Sequence, residues 1–254
     1  MSGLPRQLAV IAAALFAIVL NGLAGAGVLF DTNTGDVSNA IPTGVTPAGW
    51  AFAIWGVIFT GVLVFAAYQA RPSARGARYD VLGVPFVSAT VLTGLWQIPW
   101  LTGRLGLAAV VIVGILASLV WLYVRLDRMG MTTAERWLLG VPTSLFLAWL
   151  TVATPLNITV ALAAAFGPDT ALGGGAFWPP LLVAVVAAIG TVLLSRTGDV
   201  AFAGVLVWAF AAIYARNGAE APLLTGVLAV GVLGFMIAVG MALSRGRSPL
   251  PVAS

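Results

Sequence analysis

Eight long apolar runs divide this 254-residue chain, and no water-soluble fold could bury so much apolar surface. They fall at Arg6–Phe30, Pro47–Ala70, Tyr79–Thr102, Leu105–Leu126, Ala134–Phe166, Phe177–Ser195, Val200–Ala215 and Ala221–Ser244, each bounded by charge, proline or glycine. A helix of about 20 residues crosses the hydrocarbon core of a bilayer. Within lipid, only helices and closed barrels satisfy every backbone N–H and C=O. The expected fold is therefore an all-α polytopic membrane protein with eight transmembrane helices. Composition agrees, since 61% of residues are hydrophobic and 8% are charged, where soluble domains carry about a quarter charged residues. Seven spans plus a re-entrant piece is the alternative, because Val200–Ala215 is short and Thr102-Gly103-Arg104 makes a very tight turn.

The arginines test the span count independently. All twelve basic residues are arginine, and positive residues gather on the cytoplasmic side of membrane proteins. With eight spans and the amino terminus inside, Arg6, Arg71, Arg75, Arg78, Arg125, Arg128, Arg136, Arg196, Arg245 and Arg247 share one side, against Arg104 and Arg216 on the other. Losing one span would scramble that division downstream. Both termini are thus expected in the cytoplasm. The expected location is a bacterial cytoplasmic membrane: nothing resembles a transit peptide, and the first apolar run is of spanning length rather than a cleavable signal. The arginines stand singly between apolar runs, which argues against a nucleic-acid footprint. Cysteine and histidine are both absent, so disulfides, thiolate nucleophiles and imidazole bases are excluded together with the commonest haem and zinc ligands. Conventional acid–base or nucleophilic catalysis has no obvious player.

The run Ala134–Phe166 is the unusual one. Thr132 and Glu135 stand at capping-box spacing and mark its start. Its middle, Leu147-Ala148-Trp149-Leu150-Thr151-Val152-Ala153-Thr154-Pro155-Leu156-Asn157, places an indole, two threonines, a proline and an asparagine where hydrocarbon would be cheaper. With a rise of about 1.5 Å per residue, Asn21, Trp50, Trp55, Thr93, Trp96, Gln97, Thr154 and Asn157 fall in the outer half of the bilayer, with Trp149 near the middle. They lie beneath the polar connection Asp31–Thr46, a loop long enough to fold over the outer span ends. An indole-lined cavity with a few neutral hydrogen-bonding groups suits a flat, largely apolar ligand. Plainer roles compete: Trp50 and Trp178 as interfacial belt, Asn21 and Asn157 as bridges between helices, Pro155 as a kink, and Gly22, Gly25, Gly231 and Gly234 as helix contacts. The connection 167–176 holds Gly173-Gly174-Gly175 and leads into Phe177-Trp178-Pro179-Pro180, which suits a first helical turn. A boundary here divides the chain into 1–166 and 167–254.

Residues 6–166 resemble the translocator protein family, also called tryptophan-rich sensory proteins. Leu147-Ala148-Trp149 followed by Leu156-Asn157 resembles the family's fifth-helix signature, and Thr46-Pro47-Ala48-Gly49-Trp50-Ala51-Phe52-Ala53-Ile54-Trp55 resembles that of its second helix. Gly94-Leu95-Trp96-Gln97-Ile98-Pro99 sits where the third helix has its tryptophan-rich segment. The resemblance implies a five-helix bundle, here extended by three further helices that the usual member lacks. It also implies a membrane receptor or carrier for a tetrapyrrole such as protoporphyrin, or another flat hydrophobic molecule, with a sensory or transport role. The expected ligand-binding set is Asn21, Trp50, Phe52, Trp55, Thr93, Trp96, Gln97, Trp149, Thr154 and Asn157. No cofactor is required, the tetrapyrrole being a ligand, and porphyrin breakdown enters by resemblance alone. The expected partners are the lipid bilayer and a hydrophobic small molecule, with a homodimer left open and nucleic acid excluded. Two other functions compete: facilitated transport of an apolar solute, with no ionisable residue placed to couple it to protons, and a scaffold whose last three spans dock a partner.

Overall fold

A computed structural model describes residues 2–41, 43–168, 170 and 175–251. Each of the eight expected spans is a helix, and the described residues contain no strand. In chain order the helices are α1 (Gly3–Gly25), the short α2 (Thr34–Ala40), α3 (Gly49–Ala70), α4 (Ala77–Leu101), α5 (Leu105–Asp127), α6 (Thr133–Phe166), α7 (Trp178–Thr197), α8 (Val200–Asn217) and α9 (Pro222–Ser244). All but α2 are long and apolar enough to cross a membrane. Eight crossings put both ends of the chain on one face, with the ten arginines named first above. The opposite face carries α2.

Two boundaries differ from the apolar runs. The first run continues to Phe30, yet α1 stops at Gly25, where Gly27 turns into the left-handed region at φ 71° and starts the descent into the loop. The connection Asp31–Thr46 contains α2, whose amino end is capped by the Asn33 side chain accepting from the backbone N–H groups of Gly35 and Asp36. Gly173 and Gly174 of the glycine-rich connection lie outside the described residues. The capping box at the head of α6 forms as the spacing predicts: Glu135 N–H donates to Thr132 Oγ1 at 3.3 Å, and Thr132 N–H to Glu135 Oε2 at 2.8 Å.

The first five spans close into a ring. Helix α1 packs against α4, α4 against α5, α5 against α6, α6 against α3, and α3 back against α1. Small residues set the closeness of these crossings, as is usual where lipid offers no hydrophobic drive between helices. A Cβ on Gly61 of α3 would lie only 3.1 Å from Pro142 Cβ of α6. Just before that crossing, Arg136–Gly140 form a π-helical turn, so α6 absorbs an extra residue where Pro142 brings no N–H. The last three spans attach through α8, which lies against α6 and the first turn of α3, while α7 and α9 pack on each other and on α8.

Ion pairs and hydrogen bonds lock the arginine-rich face. Arg6 is fully buried, donates to the Gln69 side chain and to the carbonyls of Ala74 and Tyr79, and pairs with Asp80 at 3.2 Å. Arg78 pairs with Glu135 at 2.9 Å, and Tyr79 OH donates to the same carboxylate at 2.6 Å. These two arginines, expected only to mark a membrane side, therefore also tie α1, α3, α4 and α6 together. Asp199, also fully buried, caps α8 by accepting from Phe202 N–H at 2.9 Å, and receives the hydroxyls of Tyr123 on α5 and Ser144 on α6. Burial pushes this carboxyl up from the ordinary range, and the Ser144, Phe202 and Tyr123 donors pull it partly back.

Candidate ligand-binding chamber

At the α2 end of the ring a cavity of about 40 Å³ lies among α2, the loop after it, α3, α4, α5, α6 and α8. Among the described residues, no charged side chain lines it. Trp149, near the middle of α6, stands at its floor. Phe52 and Trp55 of α3 meet Trp149 edge-on, each with ring centroids 6.3 Å away, the offset geometry that aromatic quadrupoles favour. Trp55 is held in turn by stacking on Phe59 at 5.3 Å and by the edge of Phe146 at 6.0 Å. On the opposite wall Trp96 stacks on Trp100 at 5.1 Å, one helical turn apart on α4.

The polar groups are mostly spent on holding this wall. Trp96 Nε1 donates to Asn157 Oδ1 at 3.1 Å, and Asn157 Nδ2 donates to Ala153 O at 3.0 Å. Trp100 Nε1 donates to Thr34 O at 3.1 Å, fastening α2 to α4. The Thr34 hydroxyl donates to Gln97 Oε1 at 2.9 Å, Gln97 donates onward to Asn21, and Asn21 Nδ2 donates to Ala17 O at 2.8 Å. The Thr93 hydroxyl is turned to its own helix, donating to Ala89 O at 2.7 Å. One indole is different. Trp149 is 4% exposed, and its Nε1–H has no hydrogen-bond partner among the described residues. Thr154 Oγ1 is likewise buried without a partner there. Leaving such groups unpaired costs about 1–3 kcal/mol each in an apolar surrounding.

A second void, a cleft of about 380 Å³, opens beside the first between α1, α2, α3 and α4. Asn21, Asn33, Asp36, Asn39 and Gln97 make it more polar. Thr34, Phe52 and Trp55 line both voids and form the partition between them.

Of the ten expected residues, Phe52, Trp55, Thr93, Trp96, Trp149 and Asn157 line the smaller cavity, while Asn21 and Gln97 line the cleft. Two lie elsewhere. Trp50 is 45% exposed and sits edge-on to Trp208 of α8 at 4.6 Å, and Thr154 is buried in α6 away from the cavity wall. Sequence reasoning passed over Trp100, although its i+4 spacing from Trp96 puts both on one face. It also passed over Ile112, Ile115, Ala209 and Ile213, whose apolar side chains carry no mark that separates a cavity wall from a lipid contact.

Eight membrane-spanning helices, five of which (α3, α4, α5, α6 and α8) line an aromatic cavity, define a polytopic membrane protein with an intramembrane chamber. Residues 7–242 match the family described as TSPO-like protein, and the chain belongs to that family. The match runs past Phe166 and through all but the last residues of α9, so the extra helices lie within it. No curated protein and no solved structure matches the chain.

Proposed function

We propose that the protein is a membrane receptor or carrier for a flat, largely apolar ligand of the tetrapyrrole type, bound beneath α2 with the arginine-rich face toward the cytoplasm. The observation that carries the reading is the unpartnered Trp149 Nε1–H in an uncharged aromatic cavity. A ligand carbonyl, carboxylate or ring nitrogen is the acceptor that this donor needs, and the surrounding indoles offer faces for a planar ring. Size adds a requirement. Drug-sized ligands occupy about 300–1,000 Å³, which the cavity of about 40 Å³ falls short of and the adjoining cleft of about 380 Å³ reaches. The bound form therefore joins the two voids, with Phe52 and Trp55 as the side chains that move. The test is titration of the purified protein in lipid nanodiscs with protoporphyrin IX, read by quenching of tryptophan fluorescence. Saturable quenching that weakens in Trp149→Phe and Asn157→Leu supports this site; identical curves for all three proteins sink it.

A further inference from the structure

Ring closure does not need α8, yet α8 supplies part of the chamber. Ala209 and Ile213, one helical turn apart and both 1% exposed, face the cavity as the wall between α6 and the start of α3. The same helix also holds the roof. Asn217 Nδ2 donates to Thr46 O at 2.9 Å, Ala48 N–H donates to Ala212 O at 2.9 Å, and Trp208 Nε1 donates to Ala51 O at 3.2 Å. Arg216 also donates to the side chain of Asn39 on α2. Three of these four bonds fall next to Pro47 and Phe52, two of them flanking Pro47 and the third at Ala51 just before Phe52: Pro47 lines the cavity, and Phe52 belongs to the partition that a ligand must displace. The backbone they hold, Gly49–Ala53, is a 3₁₀ turn, whose hydrogen-bond geometry is poorer than that of an α-helix and which gains most from outside support.

We propose that α8 is a specificity-determining element of the binding site: Ala209 and Ile213 set the size of ligand that the chamber accepts, and Trp208, Ala212 and Asn217 set how readily its roof and partition open. This rests on the ligand-binding reading above and assigns part of the extension a role in it. A bulkier residue at 209 takes space from the chamber, a smaller one at 213 adds space, and loss of the Asn217 amide frees Thr46 and lets bound ligand leave faster.

The experiment measures equilibrium affinity and dissociation rate of protoporphyrin IX in nanodiscs for wild type, Ala209→Leu, Ile213→Ala, Asn217→Leu and Trp149→Phe, with cooperative thermal unfolding checked for each. Expected are at least a tenfold loss of affinity in Ala209→Leu, at least a threefold gain in Ile213→Ala, and at least a fivefold faster dissociation in Asn217→Leu. If Ala209→Leu fails to fold, the other two α8 variants decide. Weakened binding in Trp149→Phe together with wild-type affinity and dissociation in every folded α8 variant overturns the α8 proposal and leaves the receptor reading standing. Absence of saturable binding in wild type overturns both.

Discussion

Trp96 Nε1 donates to Asn157 Oδ1 at 3.1 Å, a single side-chain bond that joins α4 to α6 across the inner wall of the chamber. Both residues are buried, so neither group has water as an alternative partner. Bonds between membrane helices average about 0.6 kcal/mol and reach about 1.7 kcal/mol. Asn157→Leu removes the acceptor and strands the indole N–H, whereas Trp96→Phe removes the donor and leaves Asn157 its bond to Ala153. A double-mutant cycle on thermal or denaturant unfolding should return a coupling in that range, with Asn157→Leu the costlier single change. Additive effects would mean the bond contributes nothing to the fold.

Trp149 presents the opposite case. Its N–H has no partner among the described residues, so Trp149→Phe gives up ring area but no hydrogen bond. The ring contacts to Phe52 and Trp55 survive in modified form. Unfolding temperature should therefore stay close to wild type, while affinity for a hydrogen-bond-accepting ligand falls by about 0.5–1.5 kcal/mol, the usual net worth of one bond. That is roughly a 2- to 12-fold weaker Kd. Parallel loss of stability and affinity would show the indole to be packing only.

How much of this was legible beforehand depends on what marks each feature. Charge and proline delimit spans, so the helix ends at Phe166 and Ser244 coincide with the ends of their apolar runs. The Thr132–Glu135 spacing gave the start of α6 for the same local reason. The seven residues of α2, with Val37 and Ala40 its only apolar side chains, carry no apolar periodicity and read as loop, although Asn33 is a cap signal there. Deeper residues are harder. In lipid both faces of a helix are apolar, so the periodicity that separates core from solvent is missing, and Ala209 or Ile213 looks like any lipid contact. Trp149 and Asn157 stood out because an indole and an amide are costly in hydrocarbon. The burial of Asp199 was invisible because its turn position says nothing of the Tyr123 and Ser144 hydroxyls that close over it.

The crossing of α3 and α6 at Gly61 and Pro142 offers a packing test. A methyl group on Gly61 would meet Pro142 Cβ at 3.1 Å and Cα at 3.3 Å, and the proline ring cannot turn aside. Gly61→Ala should cost little, as the helices part by a few tenths of an ångström. Gly61→Leu should cost about 1–3 kcal/mol, as overpacking does elsewhere. Gly56 on the same span serves as the control, since a Cβ there meets nothing within 4 Å. Thermal unfolding in detergent checks the order; equal losses at both positions would show helix propensity rather than the crossing at work.

Asp199 links the three added spans to the ring, and its protonation should tune that link. Burial, the largest cause, raises its carboxyl above the ordinary value despite the Ser144, Phe202 and Tyr123 donors. A carboxyl whose folded value exceeds its unfolded one favours the folded state while protonated. Its contribution is complete below the unfolded value of about 3.9 and is lost as pH rises through the raised folded value. Asp199→Asn mimics the protonated form: its amide oxygen takes the place of Oδ1 and still caps Phe202 N–H, while its NH2 group takes the place of Oδ2 and donates to the Ser144 and Tyr123 hydroxyl oxygens. Wild type should therefore lose unfolding temperature relative to Asp199→Asn as pH is raised from the acid side toward neutrality. Asp199→Leu supplies the contrast: it removes the cap and strands the Tyr123 and Ser144 hydroxyls at every pH, at a cost of about 1–3 kcal/mol for each stranded group. Parallel curves for wild type and Asp199→Asn would show that the carboxyl stays in one protonation state throughout, its three donors outweighing the burial.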